Sequence, residues 1–295
     1  MKGIVLAGGV GSRLYPLTDV VSKQLQPVYD KPMVYYPLTV LIASGIREIC
    51  LISSPAQLPN FERLLGDGRK WGIEIEYREQ SKPEGIAQAF LIADSFIRDH
   101  PVALILGDNV FSGGDAFPRA VAAFESGATV FAYHVRNPER YGVVEFDSEF
   151  RPVSIVEKPR RPKSNYAVPG VYLYDNQVVE IAKKVQPSER GELEITDIHQ
   201  TYLARGQLCV ERLSRGFAWL DAGTSTSLHE ASSYVGTIEK RQGIKIGCPE
   251  EAALVRNFLT RAQFDALIEE MPDCEYRSYL KNVAAEMERM GHGAA

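Results

Sequence analysis

The start of the chain constrains it most: an apolar run, Gly3-Ile4-Val5-Leu6, passes straight into Gly8, Gly9 and Gly11 and then Arg13. A run without polar alternation has to be covered on both faces, which is the situation of an interior strand in a parallel sheet. Glycine has no Cβ, so the loop that follows can enter positive-φ conformations and bring backbone N–H groups close to an anion. Arg13 adds a planar cationic fork suited to phosphate oxygens. The pattern describes a phosphate site at a strand tip, although glycine-rich turns after a first strand also arise for geometric reasons alone.

Similar apolar runs recur at Ile46 to Ser53, Ile73 to Tyr77, Val102 to Leu106 and Ala128 to Val135. Helical segments fall between them. Pro32 to Ser44 stops at Gly45, Phe61, Leu64 and Leu65 share one face of a second helix, and Ile86, Phe90, Ala93 and Ile97 share one face of a third. This alternation predicts an α/β fold, a Rossmann-like three-layer α/β/α arrangement around a mostly parallel sheet. After Val135 the strands come closer together, at Gly142 to Phe146, Val153 to Glu157, Tyr166 to Tyr174 and Leu208 to Leu213, with helices near Asp175 to Val185 and Ile195 to Ala204. That half extends the sheet with mixed strands. Beyond Thr224 helical signals dominate, at Glu250 to Phe258, Thr260 to Glu270 and Tyr276 to Met290, and Gly291 to Ala295 are expected to fray. The expected organisation is one α/β domain over 1–240, in two halves of about 1–135 and 136–240, and a helical segment over 241–295.

Thirty-three basic against 38 acidic residues give a net charge of −5 without any dense basic block, so nucleic acid is not an expected partner. No apolar run approaches membrane-spanning length, and the N-terminus reaches glycines and a charge too early for a signal peptide, which implies a soluble, cytoplasmic protein with no membrane partner. Cys50, Cys209, Cys248 and Cys274 form no C-x-x-C pair and read as buried or semi-buried thiols, and the five histidines have no zinc-ligand spacing. Neither a G-x-S-x-G elbow nor a G-x-x-x-x-G-K-[ST] loop is present. A dinucleotide fingerprint also fails: Leu14 stands where the third glycine belongs, and Asp30 lies between Tyr29 and Lys31 in a proline-flanked loop rather than closing a second strand.

Two aspartates stand out. Asp108 follows the run Val102 to Leu106 and Gly107, and Asp221 ends the segment Phe217-Ala218-Trp219-Leu220. In open parallel sheets ligands gather beyond the carboxyl ends of the strands, so Asp108 and the first glycine loop face one crevice. Two carboxylates beside a phosphate loop suit Mg2+, a hard cation that shares substrate phosphates, whereas the ordinary alternative for either is a turn or a helix cap. Arg13, Lys23 and Lys158 are the candidate cations for a transferring phosphoryl group, each with a solvated surface position as its alternative.

These segments, taken in order, resemble the sugar-1-phosphate nucleotidyltransferase family, and within it the thymidylyltransferase branch, over nearly the whole chain. The matching blocks include Leu6-Ala7-Gly8-Gly9 with Gly11 and Arg13, Ser22-Lys23-Gln24-Leu25, Asp30-Lys31-Pro32-Met33, Leu106-Gly107-Asp108-Asn109 and Pro138-Glu139-Arg140-Tyr141-Gly142. Glu157-Lys158-Pro159, Arg190-Gly191-Glu192-Leu193-Glu194-Ile195-Thr196-Asp197 and Ala218-Trp219-Leu220-Asp221 complete the set. The resemblance implies that 1–135 binds nucleotide, that 136–240 binds sugar, and that 241–295 serves a homotetramer and a regulatory site. It implies that Leu6, Ala7, Gly8, Gly9, Gly11, Ser12, Arg13, Lys23 and Gln24 wrap the triphosphate together with Asp108, while Gln80 and Gly85 hold the base. Tyr141, Gly142, Glu157 and Val168 would bind the sugar, Lys158 its phosphate, and Asp108 and Asp221 Mg2+, with Arg13, Lys23 and Lys158 the catalytic cations. The implied reaction joins dTTP and glucose 1-phosphate into dTDP-glucose by direct in-line attack on the α-phosphorus, for deoxysugar (dTDP-rhamnose type) and cell-surface polysaccharide synthesis.

The chain departs from the family pattern at Val10 and Ser12, where serine and threonine are common, and at Pro169 and Ala222, where threonine is. Ser81-Lys82-Pro83-Glu84-Gly85 replaces a proline-led motif. None of these removes a charged group. They leave open a UTP- or CTP-using transferase, since one methyl in an apolar pocket discriminates by only about 1–3 kcal/mol, and a non-catalytic sugar-nucleotide-binding regulator. Retention of both aspartates and all three cations argues against the latter.

Overall fold

The computed structural model of the protein describes residues 1–9 and 11–289; Val10, Met290 and the end expected to fray, Gly291–Ala295, lie outside them. In chain order the strands are β1 (Lys2–Leu6), β2 (Pro27–Val28), β3 (Lys31–Pro32), β4 (Glu48–Ser53), β5 (Glu74–Glu79), β6 (Val102–Leu106) and β7 (Asn109–Ser112). Then follow β8 (Ala128–His134), β9 (Gly142–Phe146), β10 (Pro152–Glu157), β11 (Tyr166–Ala167), β12 (Val171–Tyr174), β13 (Leu208–Arg212) and β14 (Ala218–Asp221). The runs at the start become parallel neighbours, β6-β1-β4-β5; β1, β4 and β6 are buried along nearly their whole length as their all-round hydrophobicity requires, whereas β5, at the sheet edge, alternates buried and exposed residues. Beyond β6 the sheet continues through β12, β8, β11, β9 and β10 in antiparallel pairs, with β13 parallel to β8.

The helices are α1 (Tyr35–Ala43), α2 (Leu58–Leu65), α3 (Gln88–Ile92), α4 (Asp94–Ile97), α5 (Ala116–Ala123), α6 (Val178–Ala182) and α7 (Ile195–Ala204), then α8 (Ser225–Gln242), α9 (Pro249–Val255), α10 (Arg261–Glu269) and α11 (Glu275–Arg289). They cover both faces of the sheet. One apolar core joins Val5, Leu38, Phe61 and Trp71 to Ala253, Phe264 and Leu280 of the C-terminal helices. A second, on the opposite face, gathers Ile4, Phe90, Leu104, Val144, Tyr174 and Ile198.

Several elements differ from the sequence expectation. The first helix begins at Tyr35 rather than Pro32, because Lys31–Pro32 pairs with Pro27–Val28 as a small hairpin. It does end as expected, with Gly45 at φ 86° just past the last turn. The third helix divides into α3 and α4 at Ala93, and Ile86 lies outside both. The run Tyr166–Tyr174 is two strands rather than one. Val168 donates its N–H to Gly142 O at 2.8 Å, Pro169 has none to give, and Gly170 donates to the Asn109 side chain at 3.1 Å. Along one edge the first part of this run therefore pairs with β9 and the second with β6, while β8 pairs with both parts along the other edge, so β9 and β6 diverge at Val168–Gly170. Cys209 and Cys274, read as covered thiols, are both exposed, Cys209 because β13 lies on the outer edge of β8.

Candidate active site

A cleft lies at the carboxyl ends of β1 and β6, beside the point where β9 and β6 diverge. Here Gly8 and Gly107 pack against their neighbours by contacts that leave no room for a side chain. A Cβ on Gly8 would lie 1.9 Å from Gln80 Oε1, and one on Gly107 would lie 2.9 Å from Gln24 Cγ and 3.0 Å from Leu6 O. Gln80 is buried and donates from Nε2 to Gln88 Oε1 at 2.7 Å. Gly11, at φ 60°, opens the short turn Ser12–Leu14 that carries Arg13, and Thr18 Oγ1 closes it by donating to Gly11 O at 2.8 Å.

Asp108 sits at the tip of β6 with its side chain only 16% exposed and ion-paired to Lys23 through Oδ2. Burial would raise its carboxyl, but the Lys23 ammonium and the Asn109 amide outweigh it and hold the group below the usual carboxylate range. Asn109 Nδ2 donates to Asp108 Oδ1 at 2.9 Å, while its own Oδ1 accepts from Trp219 Nε1 at 2.6 Å and from Gly170 N. That amide is held at both ends. The β7–β14 pairing sets Asp221 opposite Asn109, and Ala222 N donates to Asp108 O at 3.0 Å, so the two aspartates meet although they are far apart in the chain. Burial and the charge of Asp108 raise the Asp221 carboxyl. Arg140, 3.9 Å away, and Arg13 oppose this shift.

Across the cleft, Gly142 packs against Glu157, Thr196 and Val168; a Cβ there would lie 3.4 Å from Glu157 Oε2. Thr196 Oγ1 donates to that same oxygen at 2.6 Å, and Arg190 Nη2 lies 3.5 Å from the other. Lys158 follows at φ 40°, a left-handed conformation that side-chain-bearing residues seldom adopt, and donates its N–H to Tyr141 O at 3.0 Å. Its ammonium is 3.4 Å from Glu157. Such strain persists where surrounding contacts over-determine it; here it leaves the Lys158 side chain half exposed in the cleft.

The cleft comprises two joined cavities of about 300 and 410 Å³ that share Arg13, Leu106, Asp108, Glu157 and Lys158. The first is bounded by Gly8, Gly9, Lys23, Gln24, Gln80 and Gly85, the second by Tyr141, Gly142, Val168 and Asp221. Ala7, Gly11 and Ser12 line neither cavity. Sequence reasoning assigned no role to Arg140, Asn109, Trp219, Tyr172 or Ile86, which also line it. Trp219 and Arg140 lay inside matched blocks beside assigned residues, which was the available signal, whereas Ile86 had the spacing of a helix face. A larger concavity of about 710 Å³ lies at Tyr133, His134 and Arg212 to Arg215, away from both aspartates. Among the described residues no three His, Cys, Asp or Glu side chains gather into a metal site, and no helix is long and apolar enough to cross a membrane.

The arrangement can bind two anionic ligands end to end, with cations on both and paired carboxylates between. Residues 2–237 match the family model described as nucleotidyl transferase. A protein of Neisseria meningitidis serogroup A named glucose-1-phosphate thymidylyltransferase is 54% identical over 283 residues, 95% of this chain and 98% of its own. One of the same name from Mycolicibacterium smegmatis is 54% identical over 282 residues, again 95% and 98% of the two chains. A crystal structure from Bacillus anthracis, assigned the same name and in complex with a sucrose, superposes with a TM-score of 0.74 at 42% identity, covering 79% of this chain and 94% of that one.

Proposed function

The chain belongs to the nucleotidyl transferase family, and on that footing we propose that it joins dTTP and glucose 1-phosphate into dTDP-glucose and pyrophosphate. One observation carries the reading: Asp108, just past the tip of β6, and Asp221, at the end of β14, line one cleft together with Arg13, Lys23 and Lys158. A triphosphate lying along the glycine loop has its base toward Gln80 and Gly85. A sugar lying against Gly142, Glu157 and Val168 has its phosphate near Lys158. A phosphate oxygen of glucose 1-phosphate attacks the α-phosphorus, the bond from that phosphorus to the bridging oxygen breaks, and pyrophosphate leaves with the electron pair. The attacking group is already ionised near neutral pH, so positioning and charge neutralisation suffice and no base or enzyme nucleophile is required.

Asp108 and Asp221 form a hard-oxygen donor pair, and burial together with the charge of Asp108 raises the Asp221 carboxyl, a cost that a cation between them would relieve, so the residues fit Mg2+. When bound, the ion would neutralise phosphate charge. Lys23 and Arg13 hold the β- and γ-phosphates that depart. Lys158 holds the attacking phosphate. Deoxysugar and surface-polysaccharide synthesis, a homotetramer built through 241–295, and a cytoplasmic location belong to the same reading. The test is pyrophosphate release with Mg2+, glucose 1-phosphate and dTTP, UTP or CTP in turn. Release with dTTP supports the reading, preference for another triphosphate moves it within the family, and none with any pair sinks it.

A further inference from the structure

We infer that Lys23 and Arg140 are built-in counter-ions that keep the two aspartates from taking up a metal until the nucleotide arrives. The inference rests on the reaction proposed above. Both oxygens of Asp108 are occupied, Oδ2 by the Lys23 ammonium and Oδ1 by the Asn109 amide. Of these partners Asn109 is fixed, because its own oxygen accepts from Trp219 and Gly170. Lys23 is the one on a flexible stem. At Asp221 the corresponding position is filled by Arg140, 3.9 Å from Oδ2 and half exposed, with Gly223 N near the other oxygen.

The charges decide the order of binding. Two carboxylates and two cations balance, with Arg13 in addition beside Gly223. A divalent ion entering alone would add two positive charges to a site that already carries no net negative charge, and would have to break a largely buried ion pair without giving the displaced ammonium a new partner. A triphosphate carrying the same ion supplies that partner. Lys23 lines the nucleotide cavity together with Gly8 and Gly9, so its ammonium passes from Asp108 to a phosphate without moving the backbone, and Asp108 Oδ2 is released to the metal. Lys23 is then a switch between two anions as well as a phosphate ligand. Arg140 is a positioning residue that does the same for Asp221.

The probe is Mn2+ alone, added to nucleotide-free protein, with the free ion followed by electron paramagnetic resonance and the protein by thermal melting. Wild type is expected to bind Mn2+ at least about tenfold more tightly with dTTP than without. Lys23→Met should bind it about tenfold more tightly than wild type in the absence of nucleotide, and its melting temperature should rise with Mn2+ where that of wild type does not. Lys23→Met/Asp108→Asn should lose the gain. Arg140→Met, at a half-exposed position that leaves the fold intact, should give a smaller gain of the same sign. Equal Mn2+ affinity of wild type with and without dTTP overturns the inference. So does a lack of gain in both single variants, or a gain that survives Asp108→Asn. If wild type still releases pyrophosphate in any of those cases, only the counter-ion role is lost; if it releases none with any triphosphate, the proposed reaction itself is at fault.

Discussion

Replacing Gly8 with alanine tests how the glycine loop acts. The new methyl would lie 1.9 Å from Gln80 Oε1, a distance no pair of atoms tolerates, while its next neighbour is 3.1 Å away on the same side chain. The strand below is fixed by hydrogen bonds to β4 and β6, so the flexible Gln80 side chain is the part that yields. In yielding, its buried amide gives up the 2.7 Å bond to Gln88 and its proposed contact with the base. A buried amide that loses its partner costs about 1–3 kcal/mol, equivalent to about 5- to 150-fold in nucleotide KM. The assay is the dTTP KM measured by pyrophosphate release, in a double-mutant cycle with Gln80→Ala. If Gly8 acts by making room for Gln80, adding Gly8→Ala to Gln80→Ala changes KM little. Fully additive effects would refute this reasoning and assign Gly8 to close backbone approach of the phosphates instead.

Lys158→Ala should lower kcat by about 100-fold or more while shifting stability by under about 0.5 kcal/mol, because the side chain is half exposed and pairs with the neighbouring Glu157; near-normal turnover would remove Lys158 from the mechanism. His199 is buried with Nε2 2.6 Å from the Tyr174 hydroxyl, and burial depresses its pKa from 6.5 to about 3. The unfolded chain therefore takes up a proton below pH 6.5 that the fold refuses, so stability present above that pH is lost as pH falls. By pH 5 this amounts to about 2 kcal/mol relative to neutral pH. Urea titrations of wild type and His199→Gln should differ by that much in their pH dependence, and parallel curves would contradict the assignment. Thr260→Ala removes the acceptor for Gln263 N at the start of α10, and the loss of about 1 kcal/mol should lower the melting temperature by roughly 2 °C.

The functional consequence of the fold is that one broken run of chain, Tyr166–Tyr174, serves two strands. Had it remained a single strand, β6 and β9 would have to share one continuous partner edge. Pro169 ends the pairing with β9, and the Gly170 N–H then turns to Asn109, the residue that locks Asp108. Sheet topology and the electrostatics of the site thus meet within three residues.

The amino-acid sequence by itself determined the kinds of element and the chemistry at their tips. Most apolar runs had to become covered strands, Gly45 had to stop a helix, and glycines followed by Arg13, Lys23 and acidic strand ends brought backbone N–H groups, cations and carboxylates to one end of the sheet. Those signals are local, carried by side-chain volume, backbone freedom and charge over a few residues. Only the tertiary structure decided which distant segments would meet. No local pattern states that Asp221 pairs opposite Asn109 or that Trp219 holds the Asn109 amide, since register between separate segments is set by packing of the whole sheet. The same applies to Ile86, whose spacing suited a helix. Glu84 and Ala87 instead bond the backbone of Leu193 on either side of it, and Ile86 is left facing the cleft.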